Sequence, residues 1–172
     1  MSQGLLVLLR LIHVVGGALW VGMAIYTTVF LMPSIQDAGP DGGKVAAALQ
    51  RRGILTLLPV LALLTILSGV WLYWRLSGGL DGGFIRSGVG LGFGIGGLAS
   101  IAAYVLGIAI MRPSMMRAAK LVGEMGPHMA DGERKALMEE AGRYRARGAR
   151  AGQIVAVLLM VAIAGMAVAR YL

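Results

Sequence analysis

Cysteine is absent from the 172 residues. There is therefore no disulfide framework, no thiolate metal site and no thiol nucleophile, and nothing that betrays a redox compartment. Charge is scarce: 14% of residues are Asp, Glu, Lys or Arg, against about 25% in soluble globular domains. Only eight residues are acidic, and each lies outside the long apolar stretches. That excludes a buried acid–base pair and an intramembrane carboxylate of the kind that couples transport to protons or sodium. A phosphate-binding glycine loop is missing too. The densest of the 27 glycines run through an apolar segment, not between a strand and a helix.

What is present is apolar. Hydrophobic residues make up 58% of the chain and the mean hydropathy is +0.77. One small soluble domain has too little interior to bury so much, whereas lipid resolves the mismatch. Four stretches, Leu5 to Met32, Ile54 to Trp74, Ser87 to Met111 and Gln153 to Leu172, are each about 20 residues or longer, the length that crosses roughly 30 Å of hydrocarbon. None alternates in polarity as barrel strands do, and helices satisfy their own backbone in lipid. The sequence thus predicts a single all-α domain over residues 1–172, a polytopic membrane four-helix bundle. The first stretch is too long for a signal-peptide core and reads as retained.

Punctuation marks the ends. Pro33 is expected to stop the first span, Asp37 to Gly43 reads as loop chemistry, and a short polar helix over roughly Lys44 to Arg52 leads into the second. Ser77 to Gly83 forms a tight, flexible connection, Pro113 follows the third span, and residues 112–152 form a long basic loop. Within that loop Leu137, Ala141 and Tyr144 recur at helical spacing. This predicts an amphipathic helix, capped by Asp131, lying at the interface or continuing into the last span.

Lys and Arg set the orientation. Lys44, Arg51, Arg52, Arg112, Arg117, Lys120, Arg134, Lys135, Arg143, Arg145, Arg147 and Arg150 fall on one side, and Arg10, Arg75, Arg86 and Arg170 on the other. Twelve against four places the basic loops in the cytoplasm and both termini outside, N-out/C-out. The same asymmetry accounts for the formal net charge of +8 without nucleic acid, as a topology signal in contact with anionic lipid.

Glycine governs the expected packing. Gly88, Gly92 and Gly96, extended by Ala99 and Ala103, form one stripe in the third span, and Gly90, Gly94 and Gly97 a second. Two bare stripes imply two close neighbours and a central third helix. Gly165 with Ala162 and Ala169 is a milder version in the last span, and such grooves also admit a flat cofactor or a lipid tail.

The candidate site lies in the first span, where Arg10, His13, Gly17, Trp20, Ala24 and Thr28 share one helical face. Gly16 and Gly17 leave a gap beside the imidazole wide enough for a planar group. Three readings stay open. His13 ligates haem iron or copper, with Met166 at a similar depth as a second ligand; it carries protons or binds a small ligand; or it hydrogen-bonds a neighbouring helix while Arg10 snorkels to the headgroups. Met111, Met115 and Met116, and Met125, His128 and Met129, form two clusters that read either as soft copper ligands or as apolar filler.

Leu11-Ile-His13, Trp20-Val-Gly22, Pro33, Leu67-Ser-Gly69 and Met166-Ala-Val-Ala-Arg-Tyr171 together resemble the CopD-type bacterial membrane superfamily. The resemblance covers most of the chain through short motifs. It implies a four-helix unit of a bacterial inner membrane, with copper uptake or haem b association at the outer side. HemJ-type protoporphyrinogen oxidases begin similarly, with a lysine where this chain has Arg10. The expected function is a small, non-catalytic membrane protein that binds haem or a metal near His13, or an accessory subunit with membrane-protein partners or copies of itself. A haem-dependent oxidoreductase, a copper-handling protein and a purely structural subunit are the alternatives.

Overall fold

The computed structural model describes residues 2–126 and 128–172. The elements in chain order are α1 Gln3–Tyr26, a π-helical turn Thr27–Leu31, α2 Met32–Asp37, α3 Gly39–Arg51, α4 Ile54–Leu76, α5 Gly82–Arg86, α6 Gly88–Leu106, a second π-helical turn Gly107–Met111, α7 Arg112–Gly123, α8 Asp131–Val168 and a 3₁₀ turn Ala169–Tyr171. Among the described residues there is no strand. Four helical runs are long and apolar enough to cross a membrane: Gln3–Asp37, Ile54–Leu76, Gly88–Gly123 and Asp131–Tyr171. The protein is an all-α, multi-pass membrane bundle.

The prolines do not stop their helices. The first span continues past Pro33 to Asp37 and the third past Pro113 to Gly123. Proline crowds the carbonyl four residues back and lacks an N–H to bond it. In both helices a π turn ends two residues before the proline, at Leu31 and at Met111. Widening the helix there relieves the crowding without ending the run. The device occurs twice at a constant offset: Gly16/Gly96, Gly17/Gly97, Thr27/Gly107 and Pro33/Pro113 are each 80 residues apart. The two helices that carry it pack on different partners, the first on α4 and the third on α8.

Two expected loops are also largely helical. The Asp37 to Gly43 stretch is mostly taken up by α3, which starts at Gly39 with proline in its first turn, where the missing N–H costs nothing. The expected basic loop 112–152 is the end of one long helix and the start of another, with Glu124–Gly126 and His128–Ala130 lying outside both. Asp131 lies in the first turn of α8 and does not cap it, its charge favourable at that end of the helix dipole. The 77–83 connection is tight as expected, with positive φ at Gly78, Gly79 and Leu80. Ser77 ties it by donating to Trp74 O (3.0 Å) and accepting from Leu80 N (2.9 Å).

The last helix, not the third, is central. In its apolar window 33% of residues are buried inside the protein, against 11% for the third span. α8 packs on α6, α7, α1 and both π turns through Ala141, Gly148, Ala151, Gly152, Val155, Leu159 and Ala162. The third helix spends one glycine stripe on α8 but leaves Gly97 in open space. The core is thin, gathered around Trp20, Val21, Ala62, Ala103, Val155 and Leu159. Large apolar side chains point outward instead, Leu98 at 69% exposure among them, as lipid-facing helices require. At 1.5 Å per residue the third run is about 54 Å long and the fourth about 60 Å. Both exceed the roughly 30 Å of hydrocarbon, so α7 and the first half of α8 project beyond the apolar zone as a basic hairpin.

Candidate functional site

His13 stands on α1 nearly three turns from the N-terminal end of the first span, half-buried against α4. Its Nδ1 lies 2.9 Å from the Thr65 carbonyl oxygen. A carbonyl only accepts, so Nδ1 carries a hydrogen and donates it. The imidazole fits because Gly69 has no side chain: a Cβ there would lie 2.6 Å from Cε1 and 2.9 Å from Nδ1. Ser68 shares its one hydroxyl hydrogen between Leu64 O at 2.7 Å and the same Thr65 carbonyl at 3.0 Å. Thr65 turns its own hydroxyl to Leu61 O at 2.8 Å. Intramembrane polar groups need partners, and these find them on their own helix or on the next one.

The gap left by Gly16 and Gly17 is filled from within. A Cβ on Gly16 would meet Thr65 Oγ1 at 2.8 Å, and one on Gly17 would meet Thr65 Cγ2 at 3.4 Å. Thr65, only 5% exposed, occupies the space expected to take a planar group beside the imidazole, so that gap does not admit a haem within the chain. The other residues of the face divide between neighbours. Arg10 is exposed, Trp20 is buried in the core cluster, and Thr28 lies against Gly152 of α8. Met166 sits elsewhere, its Cγ 2.9 Å from where Gly96 would carry a Cβ. His13 and Met166 are thus engaged by different helix pairs.

The first glycine stripe meets the last span at each position. Gly88 faces Leu172, Gly92 faces Ala169 at 2.8 Å, and Gly96 faces Ala162 O at 2.9 Å, measured from the Cβ each lacks. Gly165 answers from the other side, 3.1 Å from Gly92 O. The second stripe is mixed. Tyr73 of α4 donates to Gly90 O at 3.2 Å and lies near Gly94, while Gly97 faces nothing within 4 Å.

The methionines at the basic end pack as well. Met111 Sδ and Thr28 Oγ1, one from each π turn, converge on Gly152, and Met115 Sδ rests on Gly148. Met116 and His128 are exposed. No group of three His, Asp or Glu side chains is placed to hold a metal ion among the described residues.

Sequence reading missed Thr65, Gly69 and Tyr73. Gly69 carried a visible signal, a lone glycine beside a serine in an otherwise bulky span, but nothing in one sequence says which helix it receives. Comparison of the chain with protein-family models, curated proteins and solved structures finds no match.

Proposed function

We propose that the protein is a non-catalytic accessory subunit of a bacterial inner membrane, with its basic end in the cytoplasm and both termini outside. The observation that carries this reading is the fate of its intramembrane polar groups. His13, Thr65, Ser68, Tyr73 and Ser100 all hydrogen-bond to backbone carbonyls of the spans, and the glycine grooves beside them are largely filled by neighbouring helices. His13 and Tyr73 tie one helix to another, and Thr65, Ser68 and Ser100 are satisfied within their own helices. What remains for work is the outside: apolar faces and a basic hairpin. Photocrosslinkers placed at Arg145 on the hairpin and at Leu98 on the exposed apolar face test the reading in intact membranes. A discrete protein adduct from either position, a partner or a second copy, is the expected result. Adducts to lipid alone from both would contradict it.

A second reading has one observation in its favour. The Nδ1–H bond of His13 to a backbone carbonyl leaves Nε2 as the ring nitrogen not engaged by that bond, which is how ligating histidines are held in register. A haem b or copper ion would then have to sit against the half-exposed side of α1, between this chain and another. The visible spectrum of the protein purified in mild detergent separates the two. The accessory reading expects no Soret band and no stoichiometric metal, whereas the second expects a band that is lost in His13→Ala.

A further inference from the structure

We propose that the chain holds one anionic phospholipid in a groove where the basic hairpin leaves the bilayer. The groove lies between the end of the third span and the middle of α8 and has a volume of about 490 Å³. Its two halves differ in chemistry. Leu106, Ile110 and Ile154 form an apolar floor, and Arg143, Arg147 and Arg150 line the rest. The spacing of four and then three residues stacks the guanidiniums along one face of α8. A second hollow of about 270 Å³, lined by Glu140, Arg143, Tyr144 and Arg147, continues it toward the tip of the hairpin.

Charge defines the occupant. None of the three arginines is in an ion pair among the described residues. Of the two carboxylates one turn before Arg143, Glu140 faces Arg117 instead at 3.8 Å, and Glu139 is in no ion pair among the described residues. Three guanidiniums on one face repel one another unless an anion joins them, and each presents the planar fork that suits phosphate oxygens. Depth selects a lipid over a free ion. Ile110 and Ile154 lie within the apolar stretches Ser87 to Met111 and Gln153 to Leu172, and Ile154 is half-exposed, so whatever fills the groove is anionic at one end and apolar at the other. A diacylglycerol phosphodiester of the adjoining leaflet meets both conditions, its phosphate on the arginines and an acyl chain along Leu106, Ile110 and Ile154. Arg145, two residues from both Arg143 and Arg147, falls on another face of the helix and does not line the groove. The proposal stands independently of the accessory-subunit reading, since it concerns lipid and not a protein partner.

Native mass spectrometry of the detergent-purified protein, titrated with dioleoyl phosphatidylglycerol or dioleoyl phosphatidylcholine, tests it. The first phosphatidylglycerol should bind about ten-fold or more tightly than phosphatidylcholine, since each interfacial Arg adds roughly 1 kcal/mol toward anionic lipid. The triple variant Arg143→Gln, Arg147→Gln, Arg150→Gln should lose that preference. A control triple with the same loss of charge, Arg51→Gln, Arg52→Gln, Arg145→Gln, should keep it. Arg147→Gln alone, the central position and the mildest change, should reduce it about five-fold and guards against a misfolded triple. Equal losses in the two triples would reduce the groove to diffuse charge and overturn the proposal. So would displacement of the lipid by millimolar inorganic phosphate, which would mark a site for free anions, or the absence of any preference in the wild-type chain.

Discussion

Gly96→Leu should destabilise the protein by about 3 kcal/mol or more, while Gly97→Leu, one residue away, should fall within about 0.5 kcal/mol of wild type. The two variants have the same composition and hydropathy and differ only in what the new side chain meets. At Gly96 a first carbon already lies 2.9 Å from the Ala162 carbonyl oxygen and 2.9 Å from Met166 Cγ. Met166 has rotamers to spare, but the carbonyl belongs to the backbone of the central helix and yields only if α6 and α8 separate. At Gly97 nothing lies within 4 Å, and leucine there faces lipid. Membrane helices gain most of their association from close van der Waals contact, so separating this pair removes the packing that Gly88, Gly92, Gly96 and Gly165 provide together. Thermal unfolding in detergent, followed by loss of helical signal, gives the comparison. Equal shifts for both variants would mean that the stripe does not seat α8.

A double-mutant cycle between Gly69 and His13 should show coupling of about 1 kcal/mol or more. In the wild-type background Gly69→Ala forces the imidazole aside, because the new methyl would stand 2.6 Å from Cε1 and 2.9 Å from Nδ1. The ring can swing away, but its Nδ1–H then leaves the Thr65 carbonyl. An intramembrane hydrogen bond of this kind is worth about 0.6 to 2 kcal/mol, and a stranded donor adds to the loss. Once His13→Ala has removed the ring, the Gly69 methyl enters empty space and should cost little. Additive losses would show that the imidazole is not the tie between the first two spans.

Much of this architecture was legible in the residues, and the failures have physical causes. Span number and helical class follow from the length of apolar runs, which lipid constrains more tightly than water constrains a soluble core. The stripe at positions 88, 92 and 96 could be assigned to packing because bare glycine in a membrane helix has few other uses, yet its partner could not be named. Pro33 and Pro113 misled because the rule that proline ends a helix assumes the crowded carbonyl has no escape. A π turn supplies one, and nothing in Thr27–Leu31 or Gly107–Met111 announces it. The space beside His13 misled for a related reason. Gly16 and Gly17 do create a gap, and sequence shows the gap without showing that Thr65 of another helix closes it. Arg143, Arg147 and Arg150 likewise read as a topology signal until Leu106 and Ile110, some 40 residues earlier in the chain, are brought beneath them.

The central claim is that four helices cross a bilayer with the long basic hairpin on the cytoplasmic side, and the absence of cysteine makes it directly testable. Arg145→Cys places a thiol on the exposed hairpin and Arg86→Cys places one on the exposed connection at the opposite end. Treated with a membrane-impermeant maleimide, intact cells should label Arg86→Cys and leave Arg145→Cys unmodified until the membrane is opened. Labelling of Arg145→Cys in intact cells, or recovery of the chain in the soluble fraction without detergent, would contradict it.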